Sequence, residues 1–232
     1  MSTGLRARIQ FGGTFDPVHA GHLAVARAAR DLLQAPVWLM PAADPPHRPP
    51  PGASAAERVA LLEAALAGEH DLFLDLRELA RSGPSWSVLS LAELREELGP
   101  SQPIVWLIGA DAFRGLPTWR EWQRLFALAH FLVAARPGSP LDDGLPAALA
   151  AEVQARWATS PADLLATPAG RVLPLGQPLR AESATDLRAD IAAGRPWRQD
   201  LPVVVADRIL ARGLYGAGGS YTAGESRETP AR

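Results

Sequence analysis

Phe11-Gly12-Gly13-Thr14-Phe15-Asp16-Pro17-Val18-His19-Ala20-Gly21-His22-Leu23 follows a short apolar run (Ile9, Phe11) and opens a helical spacing of apolar residues at Leu23, Val25, Ala26, Ala29, Leu32 and Leu33. The order predicts a strand, a glycine turn and a helix start, which together aim backbone N–H groups at an anion such as a phosphate. Gly12 and Gly13 lack a Cβ, so the backbone there can turn sharply and admit a bulky anion. His19 and His22, three apart, are expected in the first helical turn with both imidazoles on one face. A helix N-terminus disfavours a protonated imidazole and a bound polyphosphate favours one, so the pair reads as phosphate hydrogen-bond donors. A plain strand–helix connection would need the glycines but not the two histidines.

Outward from this stretch, short apolar runs alternate with helical patterns. Strands are expected at 7–11, 37–40, 72–76, 104–108, 131–134 and 171–175. Helices are expected at 20–33, 54–67, 87–98, 119–128, 146–157, 185–193 and 202–212. Ser54 with Glu57 reads as a capping box, and Gly99, Gly194 and Gly213 sit where helix C-caps fall. Continuously apolar central strands alternating with helices imply a parallel sheet covered on both faces. Ligands bind outside the C-terminal strand ends of such sheets, where the glycine turn falls. No repeat or linker interrupts the pattern, so one domain is expected.

The 232 residues allow ample core, and a formal net charge of −2 gives no reason to expect nonspecific nucleic-acid or membrane binding. The absence of cysteine excludes disulfides, thiolate metal sites and cysteine nucleophiles. No run is apolar for long enough to span a membrane, and the N-terminal residues lack a signal-peptide pattern, so the cytoplasm is the expected compartment.

Four further blocks carry chemistry-bearing residues. Residues 41–52 hold six prolines around His47 and Arg48. Such a stiff loop loses little entropy on closing over a ligand, and the Arg48 fork suits a phosphate, against the plainer reading of an exposed arginine. Gly83-Pro84-Ser85-Trp86-Ser87 feeds a helix with Ser85 or Ser87 as its N-cap. The first N–H groups of that helix can take a carboxylate, or the helix is simply capped. Ile108-Gly109-Ala110-Asp111 ends a buried strand, placing Asp111 to accept ribose hydroxyls. Trp119 and Trp122 share helical spacing; Trp122 is the expected core residue and Trp119 offers a flat face to a ring. Ser183, Thr185 and Arg188 bring a hydroxyl, free N–H groups and a guanidinium toward one anion, as a triphosphate requires, unless they form only a capped helix with a surface arginine.

Gly-Thr-Phe-Asp-Pro-Val-His-x-Gly-His resembles the signature of the HxGH nucleotidyltransferase superfamily. Pro45-Pro46-His47-Arg48 and the Gly109-Ala110-Asp111 to Pro117-x-Trp119 region resemble elements of one branch, the nicotinate-mononucleotide adenylyltransferases. In that branch a Pro-Ser-Tyr-Thr run corresponds to Pro84–Ser87, with Trp86 replacing Tyr, Ser87 replacing Thr, and Leu89 standing where a polar residue is frequent. Arg136-Pro137-Gly138 matches the branch's Arg-Pro-Gly. Ser183-Ala184-Thr185-Asp186-Leu187-Arg188 is similar to the second superfamily signature, with Glu182 where an apolar residue is usual. The resemblance covers residues 8–215 with all motifs in order.

It implies a Rossmann-like, doubly wound α/β domain over 1–215; the tail over 216–232, rich in Gly, Ser and charge, is expected from its composition to be disordered. It further implies transfer of an adenylyl group from ATP to nicotinate mononucleotide, a step of NAD biosynthesis. Gly12, Gly13, Thr14, Phe15, His19, His22, Ser183, Thr185 and Arg188 would hold ATP, with His19, His22 and Arg188 catalytic. His47, Arg48, Trp86, Ser87, Asp111, Trp119 and Arg136 would hold the mononucleotide, Trp119 stacking on its pyridine. Mg²⁺ would be bound mainly through the ATP phosphates, with no dedicated protein site. The partners are small molecules, with no nucleic acid and no membrane. Two other readings are a sibling enzyme using the amide, nicotinamide mononucleotide, or another phosphorylated substrate, and a non-catalytic nucleotide-binding module.

Overall fold

The computed structural model describes residues 6–43, 51–135, 144–176 and 182–218. Its first half runs β1 (Arg8–Gly13), α1 (Ala20–Leu33), β2 (Val37–Pro41), α2 (Ala55–Leu66), β3 (Leu72–Leu74), α3 (Arg77–Ala80), α4 (Ser87–Leu98) and β4 (Ile104–Gly109). The second half runs α5 (Ala110–Arg114), α6 (Trp122–Leu128), β5 (His130–Ala134), α7 (Ala147–Val153), α8 (Pro161–Leu165), β6 (Val172–Leu175), α9 (Ala184–Ala192) and α10 (Val203–Arg212). All six strands are parallel, in the order β3-β2-β1-β4-β5-β6. The order reverses between β1 and β4, which opens a crevice at their C-terminal ends.

Each central strand is buried on both faces, and the period of two sorts its side chains into two cores. Ile9, Phe11, Val105, Leu107 and Leu132 face α1, α2, α9 and α10. Ile104, Trp106, Ile108, Phe131 and Val133 face α4, α5, α6 and α7. A parallel strand pays for its position with this continuous apolar run, which is why all six lie within two residues of the expected bounds.

The helices depart more. The helix expected over 119–128 begins only at Trp122, because Glu121 sits at φ 50 and Leu116–Thr118 forms a separate 3₁₀ turn. A left-handed residue cannot continue an α-helix, so Trp119 and Trp122 are not on one helical face. The helix expected over 146–157 stops at Val153. The short α3, α5 and α8 are too brief to show a period. Ser54 and Glu57 do form the reciprocal capping box. Of the expected tail, residues 219–232 lie outside the described residues, and Ala217 is buried against the first core.

One buried polar group ties β5 to the segment before β6. The His130 Nε2–H donates to the Thr167 carbonyl at 2.7 Å, and Nδ1 accepts the Arg171 N–H at 3.1 Å. Burial pushes its pKa from 6.5 down to about 4. The unfolded chain therefore binds a proton that the folded ring refuses over that window, and stability falls as pH drops through it. The expected loss is about 3 kcal/mol by pH 4. Urea unfolding across that range, compared with His130→Asn, isolates it: the variant's profile is flatter by this amount.

Candidate active site

Gly12 and Gly13 end β1 and pair with Met40 and Pro41, so they are strand residues and not the turn expected of them. What they provide is room. A Cβ on Gly12 would come within 2.8 Å of the Trp106 ring, and one on Gly13 within 3.0 Å of the Phe15 ring. The turn itself follows, with Phe15 at φ 48 and a cis Asp16–Pro17 bond. Phe15 is buried, edge-on to Phe11 at 5.5 Å and to the His22 ring at 5.0 Å between centroids.

His19 is the N-cap of α1 and His22 its third residue, and the two cap each other. The His22 N–H donates to His19 Nδ1 and the His19 N–H to His22 Nδ1, both at 3.3 Å. An Nδ1 that accepts must carry its proton on Nε2 in the neutral ring, so each imidazole keeps an Nε2–H as its donor. The rings lie 3.7 Å apart between centroids, tilted by 31°. Gly21 makes this possible, since a Cβ there would meet the His19 ring at 3.1 Å and Glu182 Oε2 at 3.3 Å.

Asp16 fastens the turn to the rest of the molecule. Its buried carboxylate accepts the Gly52 N–H at 2.6 Å, the Ala53 N–H at 3.1 Å and the Tyr215 hydroxyl at 2.8 Å. Arg188 donates to the Asp16 carbonyl at 2.6 Å and lies 3.5 Å from its carboxylate, and it reaches the Thr185 hydroxyl at 3.5 Å. Ser183 caps α9 through the Asp186 N–H. On the other side, Arg58 is fully buried and donates to the Thr14 carbonyl at 2.7 Å. Burial pushes the Arg58 pKa down and, together with Asp16, the Tyr215 pKa far above the usual phenol range.

A second wing lies at the end of β4. Trp86 is the N-cap of α4 and makes no side-chain cap bond, and Ser87 is its first helical residue, so neither serine caps this helix. The Ser85 hydroxyl instead accepts the Ala43 N–H at 2.9 Å. Its neighbour Glu78 is buried and accepts the Ser90 hydroxyl at 2.6 Å; burial pushes the Glu78 carboxyl up. Asp111, in the first turn of α5, is exposed and accepts from Arg114 at 3.3 Å. Trp119 packs partly against the second core, as does Trp122, whose ring meets Phe126 at 6.4 Å.

One cleft of about 670 Å³ joins the two wings across the C-terminal ends of β1, β4 and β5. Thirteen of the sequence-derived candidates line it: Gly12, Gly13, Thr14, Phe15, His19, His22, Trp86, Ser87, Asp111, Trp119, Ser183, Thr185 and Arg188. His47, Arg48 and Arg136 lie outside the described residues; their described neighbours Pro51 and Ala135 line the cleft. Trp122 does not belong to the lining. Sequence reasoning missed Asp16 as an anchor, Arg58, Trp106, Arg120 and Tyr215. Arg58 carried a signal: it shares the i, i+3, i+4, i+7 stripe with Leu61, Leu62 and Ala65, which face the core.

The cytidylyltransferase-like family model matches residues 10–189. A nicotinate-nucleotide adenylyltransferase of Stenotrophomonas maltophilia is 56% identical over 213 residues, covering 90% of this chain and 96% of that one. One from Xylella fastidiosa is 49% identical over 212 residues, with the same coverage of 90% and 96%. Among solved structures, the Plasmodium falciparum nicotinic acid mononucleotide adenylyltransferase complexed with NaAD superposes with a TM-score of 0.66 at 16% identity, over 90% of this chain and 97% of that one.

Proposed function

The chain belongs to the nicotinate-nucleotide adenylyltransferase family, and from that membership we propose how its cleft transfers an adenylyl group from ATP to nicotinate mononucleotide. The products are deamido-NAD and pyrophosphate. A phosphate oxygen of the mononucleotide bonds to the α-phosphorus of ATP, the α-phosphorus–bridging oxygen bond breaks, and pyrophosphate leaves with that electron pair. The attacking phosphate is mostly ionised at neutral pH, so no general base and no covalent nucleophile are needed. Catalysis then rests on alignment and on neutralising charge at the α-phosphate and the leaving group.

The observation that carries this reading is the meeting, in one cleft, of two Nε2–H donors at the start of α1 with Thr185 and Arg188 of α9. These four residues would hold the ATP phosphates, with Gly12, Gly13, Thr14, Phe15 and Ser183 shaping their seat. In the second wing, Trp119 would stack on the pyridine, Asp111 would take ribose hydroxyls, and the start of α4 at Trp86 and Ser87 would meet the ring's carboxylate. His47, Arg48 and Arg136 are proposed, from sequence, to hold the mononucleotide phosphate.

Among the described residues no group of three or more His, Cys, Asp or Glu could hold a metal ion. Mg²⁺ would be ligated mainly by phosphate oxygens and water and would contribute positive charge at the phosphates. Among the described residues no helix is long and apolar enough to cross a membrane.

Pyrophosphate release with ATP and Mg²⁺ tests the reading. Strong preference for nicotinate over nicotinamide mononucleotide is expected. Release with neither, alongside ATP binding, would favour a nucleotide-binding module instead.

A further inference from the structure

Arg120 directly follows Trp119, and its guanidinium carbon stands 4.0 Å from the centroid of the Trp86 ring. Both residues line the second wing of the cleft. The ion pair of Arg120 with Glu121 is long, at 3.5 Å, between two side chains about half exposed, a setting in which such pairs contribute little. Among the described lining residues the other arginine, Arg188, is already engaged by Asp16. The acidic groups of this wing are accounted for: Asp111 pairs with Arg114, and Glu78 is buried against the Ser90 hydroxyl.

We propose that the Arg120 guanidinium, set over the Trp86 ring, is the charge that selects the carboxylate of nicotinate mononucleotide over the carboxamide of nicotinamide mononucleotide. The inference rests on the adenylyltransferase reading and deepens it. A pyridine stacked on Trp119 carries its substituent at the ring edge, in the wing where Trp86 and Arg120 lie. A carboxylate offers acceptors to the planar fork of N–H donors, and the bonds are charge-assisted. A carboxamide has one acceptor oxygen, and its NH₂ has nothing to accept it from a guanidinium that only donates. Rejection therefore comes from an unpaired donor as well as a lost charge. Contact with the indole restrains the guanidinium before substrate arrives, so less rotamer freedom is lost on binding. A lysine would keep the charge and lose the plane.

The test is the acid-to-amide ratio, read twice: as affinity from titration calorimetry of each mononucleotide without ATP, and as kcat/KM from pyrophosphate release. In Arg120→Met both ratios are expected to fall by about tenfold or more, the scale of a lost charged hydrogen-bond partner. Arg120→Lys should fall between that variant and wild type. A ratio within about twofold of wild type in Arg120→Met would overturn the proposal. So would equal losses for both substrates, which would make Arg120 a packing partner of Trp86. Wild-type protein that binds the acid selectively but releases no pyrophosphate would fail the adenylyltransferase reading, while the calorimetric ratio would still decide the role of Arg120.

Discussion

His19→Asn is expected to remain folded and to lose about 10²–10³-fold in turnover, roughly 2.7–4 kcal/mol of transition-state stabilisation. His19 has two tasks that this variant separates. Its Nδ1 caps α1 by accepting the His22 N–H, and its Nε2–H is the proposed donor to the phosphates. Asparagine is among the best N-cap residues, so its side-chain oxygen can take over the first task. It cannot place an N–H where Nε2 stood. His19→Ala loses both and should be less stable than His19→Asn by about 1 kcal/mol, the usual value of a cap. Pyrophosphate release and urea unfolding, measured on all three proteins, distinguish the two losses. If His19→Asn kept more than about a third of wild-type turnover, the ring would be a cap and nothing more.

The same pair marks what could be read without coordinates. Two histidines three apart at a helix start announce a shared face, because helical geometry is local. That each caps the other through Nδ1, which fixes the remaining ring donor as Nε2–H, depends on rotamers that sequence spacing does not specify. The glycines are a different case. Their presence was informative, but for the wrong local reason: Gly12 is in extended conformation and gives way to Trp106, a residue on the neighbouring strand. Close approach across a sheet requires the register, and the register comes from the packed fold. Glu121 is a third kind. Nothing in Trp119-Arg120-Glu121-Trp122 forecasts a left-handed residue, and that single φ separates the cleft tryptophan from the one against Phe126.

The strands were legible because burial on both faces leaves only apolar residues acceptable there, a constraint each segment satisfies alone. Arg58 and Tyr215 were not legible as parts of the site, since their partners lie 44 and 199 residues away in the chain. Such contacts satisfy groups that burial would otherwise leave unpaired, and although the helical stripe marks Arg58 as buried, which groups meet is known only once the whole chain is placed.

Asp16 is where those distant contacts converge, and Asp16→Asn is expected to cost about 3–5 kcal/mol, the range for breaking a buried charged cluster. Its two oxygens face donors on both sides: the Ala53 N–H and Tyr215 hydroxyl at Oδ1, and the Gly52 N–H at Oδ2. An amide has one oxygen and one NH₂. The Tyr215 hydroxyl can rotate to accept, but the backbone N–H groups of Gly52 and Ala53 cannot, so either orientation sets an NH₂ against one of them. At roughly 2–4 °C per kcal/mol, the midpoint of thermal unfolding should fall by about 10 °C. Tyr215→Phe removes only one donor from a carboxylate that keeps its other partners, and should cost about 1 kcal/mol. The Arg188 guanidinium would retain the Asp16 carbonyl in both variants, so turnover measured well below the unfolding midpoint should fall further in Asp16→Asn, where its carboxylate partner is also gone. Equal, small stability losses in the two variants would mean that water reaches Gly52 and Ala53 and that the turn is held mainly by Arg58. A stable but inactive Asp16→Asn would place its effect in the proposed role of Arg188 at the phosphates.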